Sequence, residues 1–422
     1  MGTDPFFRKS ERAFRLTGKG VCPLFVAAIA VAPACWADAR LPDGAGKSIV
    51  EERCTKCHGL ENIQRSGYSA EGWKNTISMM KNVGAQLTPS EADTVVAYLA
   101  KNFPQRASQP PAIVPGPVQV KFREWTVPTA GSRPHDPLAT RDGHLWYTGQ
   151  FANVLGRLDP KTGQFREFHL PVENSGPHGL VEDREGNIWY TANFQGYIGK
   201  LDPKTGKVTE YKLPEREARD PHTPIFDHEG VLWFTVQGGN FVGRLDPETG
   251  AIKMVRSPTP RSRPYGMQID ANDVPWFVEF GSNKVARIDR DTMAIREYTL
   301  PDRDARPRRL AITPDGAIWY TDYSRGALGR LDPKTGEVRE WPSPSGRESH
   351  PYGILADGGV LWYSESGVEP NTLVRFDPRA SKFQTWAIPS GGGVVRNMML
   401  APDGELALAM SGVNGVALVE KR

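Results

Sequence analysis

The sequence predicts a small all-α domain followed by an all-β seven-bladed propeller. Three observations carry this. Trp146, Trp189, Trp233, Trp276, Trp319 and Trp362 recur at intervals of 43 or 44 residues. Seven related strand-like segments accompany them, beginning at Phe122, Phe165, Val208, Ile252, Ile295, Val338 and Phe383. Ahead of the repeats, residues 38–103 show helical periodicity and helix-capping signals.

The chain has 422 residues, 39% of them hydrophobic and 24% charged, which suits one small and one large globular domain. The net charge of +3 resides in residues 1–37, where Arg8, Lys9, Arg12, Arg15 and Lys19 outnumber Asp4 and Glu11. The remainder is near neutral, so no nucleic-acid partner is expected. Residues 1–37 have the pattern of a cleaved signal peptide: a basic stretch, an apolar run from Val21 to Ala34, and small residues at Ala37 and Ala39. The run is short for a bilayer and holds Pro23 and Pro33, so no membrane span is expected after cleavage. The expected location is periplasmic or otherwise exported.

Of four cysteines, Cys22 and Cys35 lie in that leader, leaving Cys54 and Cys57. They form Cys54-Thr55-Lys56-Cys57-His58, the attachment pattern of a c-type haem. Two thiols at i and i+3 share one side of a helical turn, where both can bond to vinyl groups. His58 then becomes an axial iron ligand. A zinc site would need two more ligands, and a redox CxxC would want a βαβ setting. Asp43 to Cys57 is expected to be helical. Ser69 should cap a helix running through Trp73, Ile77 and Met80. Thr88-Pro89-Ser90-Glu91 reads as a capping box before an apolar face of Val95, Val96, Tyr98 and Leu99. Residues 41–103 resemble the class I cytochromes c. The resemblance implies a distal methionine beyond the middle helix. Met79 and Met80 both qualify, and the Trp73-to-Met80 spacing selects Met80.

Residues 104–121 are rich in proline and small residues and read as a semi-rigid linker. From residue 122 the repeats begin. Each tryptophan lies in a strand such as GNIWYT, and a turn of the LDPKTG type follows at Asp159, Asp202, Asp246, Asp289, Asp332 and Asp377. A period in the low forties with four short strands marks a propeller blade. The first strand, at Phe122, has no preceding unit, and a degenerate last unit, about residues 394–419, has no following strand. Pairing the two closes a ring of seven. Repeats such as GPHGLVEDREGNIWYTANFQGYIGKLDPKTG resemble the virginiamycin B lyase (streptogramin lyase) family of seven-bladed propellers, over about residues 122–420.

Two repeat positions are expected to converge on one face of the channel. The first holds His135, His178, His222, Tyr265, Arg308, Tyr352 and about Arg396; the second holds Gly149, Ala192, Val236, Glu279, Asp322 and Glu365. Histidines and carboxylates together would take a divalent metal such as Mg or Ca, or act as acid–base pairs. His350 lies nearby in sequence. The family resemblance implies a histidine and a glutamate in one blade, with magnesium. Here the three blades with histidine lack the acid, and those with Glu279 and Glu365 carry tyrosine. The leading functional expectation is therefore a redox protein. Its propeller binds or oxidises a small molecule, and its haem passes electrons to a periplasmic partner. A carbon–oxygen lyase or lactone hydrolase with an accessory haem domain is one alternative, and a non-catalytic binding module another.

Overall fold

The structure, a computed structural model, describes residues 41–422. The expected signal peptide lies outside the described residues. Among them, no helix is long and apolar enough to cross a membrane.

The N-terminal segment has four short helices: α1 (Lys47–Arg53), α2 (Glu61–Gln64), α3 (Ala70–Asn82) and α4 (Pro89–Asn102). The first is shorter than expected. Gly46 has φ 103°, and a Cβ there would meet the Tyr98 Cβ at 2.8 Å, so helix begins only after this close approach. A 3-10 turn, Cys54–Lys56, follows α1. The caps are as expected. The Ser69 hydroxyl accepts from the Gly72 N–H, and Thr88 and Glu91 form a reciprocal capping box. Val50, Trp73, Ile77, Val95, Tyr98 and Leu99 form the small core. Met79 and Met80 lie inside α3, in its last turn, rather than beyond it.

Residues 120–421 form seven antiparallel four-stranded sheets. Six are consecutive in the chain. The seventh is closed by strand Val120–Thr126, which pairs with the last strand, Gly415–Lys421, from Val120↔Lys421 to Thr126↔Gly415. All six repeat tryptophans are buried. The aspartate of each Asp-Pro-x-Thr-Gly turn caps backbone N–H groups: at Asp159 the carboxylate accepts from the Lys161 N–H at 2.9 Å and the Thr162 hydroxyl at 2.8 Å, and at Asp332 from the Lys334 and Thr335 N–H groups. Gly163 supplies the left-handed backbone, with φ 74°. The residues between the domains are fastened to blade six: the Val114 N–H donates to Thr385 Oγ1 at 2.7 Å, and the Thr385 hydroxyl donates to the Ala112 carbonyl.

The innermost strands carry a repeated irregularity. In all seven blades the register shifts two or three residues into the strand, as between Pro134 and Pro137. At this bulge, a buried hydroxyl of the second strand ties neighbouring blades together. Thr148 accepts from the Asp136 N–H and donates to the His178 carbonyl of the next blade, at 3.0 and 2.9 Å. Thr191, Thr235, Thr321 and Ser364 repeat the bridge, reaching the carbonyls of His222, Tyr265, Tyr352 and Val395. Val278 takes this position in blade four and Ala409 in blade seven, and neither makes the bridge.

Closure makes the ring cooperative. A chain lacking residues 415–422 leaves two unpaired edges and uncovers Val416, Leu418 and Val419. Loss of the whole propeller transition in urea is expected. Retention of a full-amplitude transition with an unchanged midpoint would show that closure is dispensable.

Candidate functional site

The bulges place a ring of side chains at one mouth of the channel. His135 and His178 have ring centroids 3.7 Å apart, His178 and His222 3.8 Å, and His222 and Tyr265 3.6 Å. The Tyr265 and Tyr352 hydroxyls are 2.5 Å apart. The Arg308 guanidinium lies 3.8 Å over the Tyr352 ring and 4.2 Å over Tyr323. The Arg396 guanidinium lies 6.0 Å from Tyr352 and donates to the Ser411 hydroxyl at 2.9 Å. The first repeat position therefore converges as the repeats imply.

A second layer, absent from the sequence reading, is formed by the next residue in each bulge. Asp136 spans the channel to Arg309 at 3.0 Å. It also accepts from the Asn397 amide at 2.9 Å and from His135 Nδ1 at 2.8 Å. His222 Nδ1 lies 2.9 Å from the Thr223 hydroxyl. Strict strand alternation would turn these residues away from the channel; a bulge turns two successive residues inward. The available signal was charge. Asp136 and Arg309 stand where other blades have Gly179, Gly266 and Gly353.

Glu279, Asp322 and Glu365 do not join the histidines. Each is fully buried beneath the loops between blades. Glu279 accepts from Ser257 and Ser282, and Asp322 from the Arg306 N–H at 3.0 Å. Glu365 accepts from Ser343, Ser345 and Thr372, each at 2.6 Å. Burial raises the pKa values of Glu279 and Asp322, only partly offset by these bonds. In blade one the equivalent residue is Gly149, where a Cβ would meet Ser132 Oγ at 2.3 Å. His350 also lies apart, stacked on Tyr323 with a centroid distance of 4.6 Å.

The mouth is electropositive. His135, His178 and His222 are buried, and their pKa values fall well below the ordinary range. Burial is the main cause, and Arg308 or Arg309 adds to it in each case. His178 Nδ1 and His222 Nε2 have no hydrogen-bond partner among the described residues. Arginine charges likewise bring Tyr352 below its ordinary value against the opposing effect of burial. One ligand atom each of His135, Asp136 and His178 lies within 4.8 Å of the others. Such a nitrogen-rich set does not suit Mg or Ca, which prefer oxygen donors, and Asp136 is already engaged by Arg309 and Asn397.

The histidine ring faces a cleft of about 3110 Å³ whose other wall is the helical segment. Cys54, Cys57, His58, Met79 and Met80 line it together with His135, His178, His222, Arg308 and Arg396. Helix α3 rests on the propeller at its rim. The Asn75 amide donates to the Gly412 carbonyl at 2.9 Å, and Asn82 to Ala130 at 2.9 Å. A Cβ at Gly131 would lie 2.4 Å from the Met79 backbone nitrogen, so this contact requires glycine.

These features define a seven-bladed propeller whose channel mouth lies beneath a helical cap. The chain belongs to the virginiamycin B lyase family, whose model matches residues 112–342. It is similar to a streptogramin B lyase structure, with a TM-score of 0.66 and 26% identity over 72% of this chain and 98% of that one. It shares the fold of a catalytically inactive histidine-to-alanine variant of virginiamycin B lyase from Staphylococcus aureus with Quinupristin: TM-score 0.65, 23% identity, 71% and 99% coverage. Kuenenia stuttgartiensis hydrazine synthase also shares the fold: TM-score 0.56, 16% identity, 68% and 95% coverage. No curated protein matches.

The depressed histidines have a consequence for stability. Their unfolded pKa is near 6.5. Below that pH the unfolded chain takes up protons that the folded ring refuses, so stability falls on acidification. The slope reaches about 1.4 kcal/mol per histidine per pH unit. The melting temperature should drop from pH 7 to 5, and drop less in His178→Gln. Identical pH profiles for the two proteins would contradict the neutral ring.

Proposed function

We propose that this chain is an exported c-type haem protein in which a small molecule at the propeller mouth exchanges electrons with the haem. Cys54 and Cys57 would hold the haem by adding their S–H bonds across its vinyl groups. His58 and Met80 would ligate its iron. The bound haem would supply a one-electron redox centre, and a methionine ligand raises its potential, as suits electron transfer.

The observation that carries the reading is the shared cleft. The haem-attachment residues and the histidine–arginine ring line one space. Its size exceeds the ~300–1,000 Å³ of an ordinary ligand pocket, which leaves room for a macrocycle and a second molecule. The chain's own residues fit the group. Both cysteines are free, and His58 Nδ1 lies 3.0 Å from the Gly59 carbonyl. That carbonyl can only accept, so Nδ1 carries the proton and Nε2 is left as the metal-binding nitrogen. Below the cleft, Asp136 holds His135 in one orientation, while Arg308 and Arg396 supply positive charge to whatever binds. The mouth would position the small molecule, and the helical cap would shield it from bulk water. Electrons would leave to a periplasmic partner.

The lyase alternative is favoured by the propeller itself, which is virginiamycin B lyase-like, but a histidine–carboxylate pair within one blade is not found. The three histidines have no carboxylate at the second repeat position of their own blades, and Glu279 and Glu365 are fully buried.

Two experiments test the reading. In a host that attaches haem to exported proteins, the wild type should retain haem through denaturing electrophoresis and Cys54→Ala/Cys57→Ala should not. Haem retained by the double variant excludes the assignment. Met80→Ala should abolish the sulfur-to-iron absorption band while Met79→Ala keeps it; the reverse result moves the ligand to Met79. For electron exchange, the oxidised protein is mixed anaerobically with a metabolite panel and its visible spectrum followed. Reduction by one compound, slowed at least about tenfold in His178→Gln, supports the proposal. Reduction at equal rates in both proteins removes the ring from the reaction.

A further inference from the structure

The mouth carries more positive charge than its own carboxylates neutralise. Arg309 is paired with Asp136. Arg308 and Arg396 both line the cleft, and neither has an ion-pair partner among the described residues. Arg308 is held among the rings of Tyr352, Tyr323 and Phe280, and its one hydrogen bond is a long one, 3.5 Å, to the Tyr265 hydroxyl. Its Nε is buried without a partner. A guanidinium fixed by aromatic faces keeps its donors free for an incoming acceptor. Next to it, His178 Nδ1 and His222 Nε2 are buried and unpartnered. A ligand that bonds to these unmet buried groups recovers the cost of burying them. The cleft wall also carries an aromatic pair: Phe151 and Phe194 pack on each other with ring centroids 5.8 Å apart, and the Arg133 guanidinium lies 4.7 Å over Phe151.

We infer that the propeller mouth is a binding site for an aromatic carboxylate, its carboxylate on Arg308 and Arg396, its ring against the phenylalanine pair of the cleft wall, and a further polar group on the histidines. A metal cation is the competing occupant of the three-residue cluster at His135. The cation would meet the field of Arg308, Arg309 and Arg396 and would have to displace Arg309 from Asp136. A planar carboxylate also suits paired guanidiniums better than an isolated point charge does.

The inference rests on reading the mouth as the ligand site, and does not require the haem. The test is titration calorimetry of the full chain with 4-hydroxybenzoate, 4-hydroxybenzamide, acetate, inorganic phosphate and zinc chloride. 4-Hydroxybenzoate should bind at least about tenfold tighter than the amide, acetate or phosphate, as expected for losing a charge-assisted contact or the ring. Arg396→Gln and Arg308→Gln should each weaken it about 10–100-fold, with circular dichroism matching the wild type. Arg308 is packed among rings, so if its variant misfolds, Arg396→Gln decides alone. Equal binding of the amide, phosphate binding tighter than the carboxylate, zinc binding that excludes the carboxylate, or unchanged affinity in a folded Arg396→Gln would each overturn the inference. Binding that never reduces the haem would overturn the electron-transfer reading and leave this one standing.

Discussion

The arrangement of the mouth depends on a small interaction: a buried hydroxyl at the third position of the WYT-type strand. Thr148 and its equivalents accept from the backbone at the bulge of their own blade and donate to the first-position carbonyl of the next blade. Each hydroxyl thus spends donor and acceptor on fixing one irregular stretch of backbone. That stretch turns two successive residues into the channel, and five blades hold it this way beside the ring of aromatic and basic groups and the Asp136–Arg309 crosslink below it. Blade four, with Val278, and blade seven, with Ala409, lack the bridge. The side chain beside the blade-four gap is Arg308, held instead by aromatic faces.

Much of the fold was legible because its physics is periodic. Tryptophans at intervals of 43 or 44 residues, turns whose Asp carboxylate caps backbone N–H groups, and a first strand without a unit led to seven blades and their closure. The first repeat position was legible for the same reason. Asp136, Arg309 and Asn397 were not, since a bulge is a departure from alternation and leaves no periodic trace. Glu279, Asp322 and Glu365 were misplaced by an opposite simplification. A strand end at the channel face was taken to expose its side chain, whereas serine-rich connecting loops fold over these acids and use them as acceptors.

The contact between the two parts of the chain is polar and small in its parts. Asparagine amides of α3 reach backbone carbonyls of the propeller, and Gly131 allows the backbones to approach. Such contacts depend on backbone position more than on side-chain identity. They orient the Cys54–His58 segment toward the mouth while leaving the walls of the cleft free for other molecules. The tie of residues 112–114 to Thr385 adds a second anchor on a different blade, so the helical segment is restrained from two sides.

The closing strand also imposes an order of events. Thr126 finds its partner Gly415 roughly 290 residues later in the chain. At a synthesis rate of ~5–20 residues per second, the first strand waits from about fifteen seconds to a minute for its neighbour. During that interval its edge is exposed, and the helical segment in front of it is already complete. Lys121, Arg123 and Glu124 place charge along this waiting edge. Charges of this kind discourage pairing with a stray strand. Residues 415–421, the last strand of the ring to emerge, are therefore those that turn an open, adhesive ribbon into a sealed ring.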